Sequence, residues 1–415
     1  MKRRLLKFAA LGASSVTGVA LILVLIFTRL PMAASVIVGA LAVVSLAIPG
    51  VFALRRAQYE WAARRRRKVN ALARVGMGIR DEYRTWALAD RLLQTANRGH
   101  IRSRIRIEGW ISKNFDPDAA PPFYPLRGAL ANVTGLRRDL QREQIPDADA
   151  IADDIEKLVT EALRNPEAFD PVDAVVEDRG DVLTYGSFVL PATERVRELV
   201  SIGGAEAVLR MGLRYASMLA GAFHWAVPPA VFELMWEEGF RNEAFASPMN
   251  SGVLGRSGSR FFTLFHDVDS PFGSFGDWFS HSLPAVSSIR GGWEINPPFL
   301  AKILDRAARR GAALSRRQDV LFITRAKDFR YSATSPYGAF EAVATASRIL
   351  EDEQHVYAVQ SPEGLVYRRP NFPTHLLYAG PRPLADAELL LDALVAAWPN
   401  EATPYPDGAE APAGA

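Results

Sequence analysis

Apolar residues run without a charge from Phe8 to Phe27, 20 positions, and again from Met32 to Leu54, 23 positions. Each run can cross a hydrocarbon layer about 30 Å thick at about 1.5 Å per helical residue. Thr28-Arg29-Leu30-Pro31 between them suits only a tight turn, so the pattern predicts a two-helix transmembrane hairpin over residues 1–54. Beyond it the pattern becomes amphipathic. Leu72, Val75, Ile79, Tyr83 and Trp86 recur at three- or four-residue steps, which predicts a helix from Arg55 to about Arg98 with one face on a neighbour. Four prolines between Asn114 and Pro125 demand a loop. Ile151, Ile155, Leu158, Val159 and Ala162 mark one face of a second helix, from about Asp147 to Leu163.

A strand is predicted at Asp181–Val189, then helices near Pro191–Val200 and Glu206–Ala222, and another opened by Pro228 and Pro229 and running through Glu238. From Glu243 short strand-like runs alternate with helical ones: strands at Glu243–Ser247, Phe261–Asp267, Gly292–Ile295 and Asp319–Thr324, with a helix over Pro298–Ala313. Ser347–Val359 and Thr374–Ala379 then read as an antiparallel pair. Alternation that finishes this way fits an α/β, Rossmann-like sheet of the kind that serves cofactor-dependent methyltransferases. The expected domains are the hairpin (1–54), a basic juxtamembrane and helical region (55–170), an α/β domain with its helical lead-in (171–395) and a tail (396–415) whose Pro, Ala and Gly content from Pro399 onward predicts disorder.

With 49% hydrophobic and 23% charged residues, the 415-residue chain builds a core and is not a disordered protein. The absence of cysteine excludes disulfides, thiolate metal sites and a cysteine nucleophile. Six histidines without H-x-x-x-H spacing argue against a zinc hydrolase, and no metal is expected. The net charge of +3 is uneven. Residues 1–68 hold twelve Lys and Arg against the single acid Glu60, which leaves the rest acidic by eight charges. The sequence pI of about 9.1 therefore describes the N-terminal segment and is no argument for nucleic-acid binding.

Lys2, Arg3, Arg4 and Lys7 precede the first apolar run, and Arg55, Arg56 and Arg64–Lys68 follow the second, while the connecting turn has only Arg29. The positive-inside rule then puts both ends in the cytoplasm: a two-span membrane protein, in the bilayer through residues 8–54, with the domain of residues 55–415 cytoplasmic. Arg64–Lys68 reads as a patch on anionic lipid headgroups, about 1 kcal/mol per charge, or as an RNA contact. A signal peptide cleaved near Ala33-Ala34 is the alternative reading of the first run.

The sharpest motif is Asn296-Pro297-Pro298-Phe299, directly after the strand Trp293-Glu294-Ile295. An exocyclic amine on a base is a poor nucleophile because its lone pair is delocalised. An Asn side-chain oxygen and a proline-restricted carbonyl accept its two N–H bonds and favour a pyramidal nitrogen. The aromatic ring offers a stacking face to a flat base. Orientation and electrostatics do this work without a strong base. The bland reading is a double-proline turn before a helix. Around it, Phe245-Ala246-Ser247-Pro248-Met249-Asn250 follows a strand where such sheets place a cofactor loop, although without the usual glycines. Asp267 and Asp269 stand where a carboxylate accepts from ribose hydroxyls, or else serve as a helix cap or solvated turn. Gly273 to Gly276 supplies backbone freedom.

Taken in order, Pro228–Glu233, Phe245–Asn250, Asp267–Gly276 and Gly292–Phe299, with the strand Asp319–Thr324, resemble the catalytic domain of the phosphorylated-CTD-interacting-factor family, cap-specific adenosine amino-methyltransferases. The resemblance covers roughly residues 170–380. It implies S-adenosylmethionine as methyl donor and transfer to the exocyclic nitrogen of adenine in RNA, DNA or a nucleotide. Asn296, Pro297, Pro298 and Phe299 would hold the target amine and base; Phe245, Ser247, Asn250, Asp267, Asp269, Gly273 and Glu294 would lie around the donor. The two-tryptophan WW module of the eukaryotic enzymes is not found, and the hairpin stands in its place. Two other readings remain: methylation of glutamine amides in proteins, and a catalytically silent membrane scaffold that keeps the fold.

Overall fold

The computed structural model describes residues 74–403 apart from 75, 98–100, 115, 117–118, 125, 219–224, 300, 327–334 and 362–363. The predicted spans at 8–27 and 32–54 and the basic run Arg64–Lys68 lie outside the described residues. Among the described residues no helix is long and apolar enough to cross a membrane. The membrane location and the transmembrane part of the expected fold are corrected accordingly and withdrawn.

Helices α1 (Ile79–Asn97), α2 (Ile101–Asn114), α3 (Val133–Arg142) and α4 (Ala148–Arg164) lead the described chain. Their apolar faces meet in a core of their own built on Leu88, Leu92, Trp110, Leu136 and Ile155. α4 matches its predicted span to within a residue at each end. Its buried positions 151, 155, 159 and 162 repeat at the spacing of one helix face. The proline-rich stretch after Asn114 is irregular where described, as its composition requires.

The stretch predicted as one strand at 181–189 is two. β2 (Val182–Tyr185) and β3 (Phe188–Pro191) fold back on each other through Gly186, whose φ of +59° suits a residue without a side chain, and β1 (Val176–Asp178) adds a third antiparallel strand. α5 (Glu194–Gly203) follows, capped by the Thr193 hydroxyl accepting from the Val196 N–H. α6 (Ala205–Ala216) and α7 (Pro229–Glu237) complete the lead-in.

The central sheet has six strands: β4 (Phe240–Glu243), β5 (Arg260–Phe261), β6 (Gly292–Ile295), β7 (Val320–Arg325), β8 (Ala346–Leu350) and, last in the chain, β11 (Thr374–Ala379). Their order is β5-β4-β6-β7-β11-β8. β5, β4, β6 and β7 are parallel, and β11 runs antiparallel to both of its neighbours. This is a mixed sheet in an α/β fold, compatible with the Rossmann-like arrangement expected. Val320–Thr324 is buried throughout, as a strand covered on both faces must be. α8 (Ala301–Leu314) turns Leu304, Ala307, Ala308 and Leu314 to the core. Gly311 on the same face lets it close in, since a Cβ there would stand 3.1 Å from Ile295 Cδ1 and from Phe340.

Several boundaries differ from expectation. The strand expected at Glu243–Ser247 lies earlier, at Phe240–Glu243, so that Glu243 ends it instead of opening it. The predicted strand Phe261–Asp267 stops at Phe261, and His266–Asp269 is a short helical turn. β8 does pair with β11, but the chain between them forms a separate hairpin, β9 (Tyr357–Ser361) and β10 (Gly364–Arg368). Finally, α9 (Leu384–Ala397) is followed by residues that are held in place rather than loose: the Val356 N–H donates to the Pro399 carbonyl, and Thr403 exchanges two hydrogen bonds with Tyr367. The expected disordered tail therefore begins too early, because backbone groups of β10 and its neighbours are satisfied by 399–403.

Candidate active site

The chain leaves β4, pairs β5 on one side of it, then returns to place β6 on the other. That reversal opens a crevice beyond the carboxyl ends of β4 and β6, the point at which open α/β sheets bind ligands. A cavity of about 520 Å³ lies there, within the range of small-molecule sites. Its wall includes Glu243 and Phe245–Asn250 after β4, Glu294 and Asn296–Phe299 at the end of β6, and Tyr357, Leu365 and Phe372 from the C-terminal part.

Glu243 closes β4 and organises the loop that follows. Its buried carboxylate accepts from the Ser251 hydroxyl at 2.6 Å and from the Gly252 and Val253 N–H groups at 3.2 Å each. Burial pushes its pKa up, against the pull of those three donors and of Arg195. Glu294 is its register partner on β6 and is equally buried, with no hydrogen-bond donor on its carboxyl among the described residues. Burial first, and then the charge of Glu243, hold Glu294 well above the usual carboxylate range.

Within the β4 loop, Asn250 Oδ1 accepts from the Ser247 N–H (2.6 Å) and hydroxyl (2.9 Å), locking a tight bend without glycine. Phe245 stands edge-on to Trp278 (5.5 Å) and Phe279 (5.4 Å), an apolar wall on that side. Asn296 is half-buried in the cavity wall, Pro297 is buried and Phe299 is 37% exposed at the rim. Phe299 packs edge-on against Phe372, centroids 5.2 Å apart, and Phe372 stacks with Trp225 at 6.3 Å, while Trp225 is 5.6 Å from Tyr357. Tyr357 is fixed from behind by Thr374 (2.8 Å), which also bonds His355 (2.8 Å).

Eight of the residues singled out, Phe245, Ser247, Asn250, Glu294, Asn296, Pro297, Pro298 and Phe299, thus share one cavity. Asp267, Asp269 and Gly273 do not line it. Asp267 is held by Arg214 at 2.9 Å, itself paired with Glu82 of α1 inside the protein. Asp269 is buried behind the wall residue Tyr215, from whose hydroxyl it accepts at 2.9 Å, and desolvation raises its pKa to about 7. Gly273, at φ +87°, terminates a helical turn. Because β5 ends six residues before Asp267, the acids fall past the strand end where a ribose contact was expected. Glu243, Asp277, Trp225 and Phe372 also line the cavity and were not singled out. Glu243 was read as the opening of a strand that it in fact closes, which hid its place at the strand end; Trp225 and Phe372 had no local signal, since only tertiary folding brings them to Asn296.

The donor set fits a sulfonium cofactor: the carboxyl groups of Glu243 and Glu294, with Asp277 also in the wall, no free cation facing them among the described residues, and aromatic walls. Arg195 and Arg256, the two arginines of the wall, are engaged with Glu198 (2.9 Å) and Glu233 (3.0 Å). Among curated proteins nothing matches the chain. Residues 204–357 match the family model described as the phosphorylated CTD interacting factor 1 WW domain. That span, a little over a third of the chain, falls where no WW module was expected and contains β4 to β8, Glu243, Glu294 and Asn296–Phe299. Over residues 204–357, then, the chain is similar to the phosphorylated-CTD-interacting-factor family.

Proposed function

We propose that the α/β domain is an S-adenosylmethionine-dependent methyltransferase acting on an exocyclic amino nitrogen, that of adenine in RNA, DNA or a nucleotide. The observation that carries this reading is the meeting of the β4 loop and the Asn296–Phe299 turn, from adjacent parallel strands, in one cavity at the reversal of strand order. S-adenosylmethionine supplies an electrophilic methyl group on a sulfonium. The side chains Phe245, Ser247, Asn250 and Glu294, with Glu243, surround the space for it. Asn296 accepts an N–H of the acceptor amine through its side-chain oxygen, with the Pro297 carbonyl as the second acceptor, so the nitrogen lone pair is freed and aimed. Phe299, Phe372 and Trp225 give a flat base an apolar face, which supports a nucleobase acceptor over a glutamine amide. Catalysis is then positioning in a half-closed, low-dielectric site.

Incubation of the protein with labelled S-adenosylmethionine and separate nucleic-acid, nucleotide and protein fractions tests this. Label in N6-methyladenine is the expected result; label only in glutamine moves the acceptor to protein. Absence of both donor binding and label would sink the enzymatic reading.

A further inference from the structure

Glu243 and Glu294 are register partners on adjacent parallel strands, so both carboxyl groups leave the same face of the sheet, and both line the cavity. The arrangement is asymmetric. Three donors saturate Glu243 and favour its ionised form, whereas no donor within the described residues reaches the Glu294 carboxyl. Among the described residues, charged and titratable neighbours do not compensate it, and the other acids of the wall, Asp277 and Glu233, bring no positive charge. Arg195 from α5 and Arg256 from the β4–β5 connection act on Glu243 and are spoken for by Glu198 and Glu233. Tyr357 from β9 faces Glu294 as a neutral phenol, its pKa pushed up by burial and by Glu294 itself. The strand neighbours, Leu321 on β7 and Phe261 on β5, carry no charge. Two adjacent buried acids without a shared cation cannot both ionise cheaply.

We propose that Glu294 is the proton-exchanging member of this pair, neutral in the ligand-free cavity and ionised when a cation enters it, so that the site distinguishes a cationic sulfonium ligand from its neutral thioether product. This rests on the methyl-donor reading above. On entry of the cation the Glu294 O–H bond breaks, its electron pair stays on the carboxylate oxygen and the proton leaves to solvent. The positive charge of the ligand replaces that of the lost proton, and the cavity keeps its net charge. Once the methyl group has gone and the sulfur is neutral, the same carboxylate again lacks a counter-charge and takes a proton back, which weakens its hold on product.

Calorimetry of the full chain at neutral pH, in two buffers of different ionisation enthalpy, reads this directly. S-adenosylmethionine should release a proton fraction approaching one on binding, and S-adenosylhomocysteine close to none. Glu294→Gln, which keeps size and shape, should abolish the release and shift the donor-to-product affinity ratio against the donor by about tenfold or more. Equal proton release for both ligands, or an unchanged ratio in Glu294→Gln, overturns the proposal while the methyl-donor reading stands. If neither ligand binds, that reading fails and takes the proposal with it.

Discussion

Glu82 of α1 and Arg214 of α6 form a fully buried, two-pronged ion pair across 132 residues of sequence, with Arg214 Nε 2.7 Å from one Glu82 oxygen and a second contact at the other. Arg214 extends the pair to Asp267, so one guanidinium joins the leading helices to the turn after β5. Burial, and behind it the charge of Asp267, raises the Glu82 pKa, and Arg214 opposes that rise. Removing the arginine leaves two acids without a counter-charge in a dry interior. Arg214→Met should cost about 3–5 kcal/mol of stability in denaturant unfolding, and adding Glu82→Leu should recover part of it.

Asn296 tests the chemistry without the fold. Its side chain is half-buried in the cavity wall, and no backbone turn depends on it. Asn296→Ala should leave S-adenosylmethionine affinity within about twofold in calorimetry. Methyl transfer should fall by roughly a hundredfold or more, the size of losing one oriented polar contact to the reacting group.

Glu243 tests the scaffold beneath the donor. Three donors of the 251–253 segment converge on it. Glu243→Ala orphans them and should cost about 2–3 kcal/mol in thermal or denaturant unfolding, with donor binding lost along with the loop geometry. A variant that unfolds normally and binds donor at full strength would show that the loop holds its shape unaided.

The aromatic wall has its own prediction. Phe372 braces Phe299 on one side and stacks Trp225 on the other, and Arg325 lies over its ring at 5.4 Å. Phe372→Ala should raise KM for a nucleobase acceptor by about tenfold, in line with about 1–3 kcal/mol per stacked base, while KM for the donor stays put. An acceptor that does not stack would show no such split.

Asp269 should make stability depend on pH. Its folded pKa of about 7 exceeds the ordinary aspartate value, chiefly by desolvation. Between those two values the folded protein binds more protons than the unfolded chain, so stability falls as pH rises across that window and levels off above it. The fall is on the order of 4 kcal/mol at most. Asp269→Asn should flatten this slope in urea titrations run from acid to neutral pH; a wild-type profile already flat there would contradict the assignment.

How far the residues alone carried the argument depends on the range of the interactions. α4 and β6 were legible because their periodicity and their Gly-Trp-Glu-Ile run leave little choice. The Asn296 turn was legible because the chemistry of its residue types is local. The β9–β10 hairpin was not, because its two strands interrupt a pairing, β8 with β11, that local pattern favours equally. Asp267 and Asp269 misled for a related reason: Phe262-Thr263-Leu264-Phe265 reads as strand, yet the chain there leaves the sheet to pack Phe265 between Tyr124 and Tyr215. That contact joins residues 141 positions apart and is invisible to any window.

The insertion of β11 between β7 and β8 bears on how this protein is handled at the bench. A fragment cut at the boundaries of the family match, ending at Tyr357, would strip β7 of one of its two neighbours, leave β8 without a partner and delete Leu365 and Phe372 from the ligand-facing surface. Trp398, whose indole N–H donates to the Val356 carbonyl at 2.7 Å, and the Thr403 clasp on Tyr367 set the true downstream limit. A working truncation ends no earlier than Thr403; shorter versions should express as sticky, ligand-blind material with an open sheet edge.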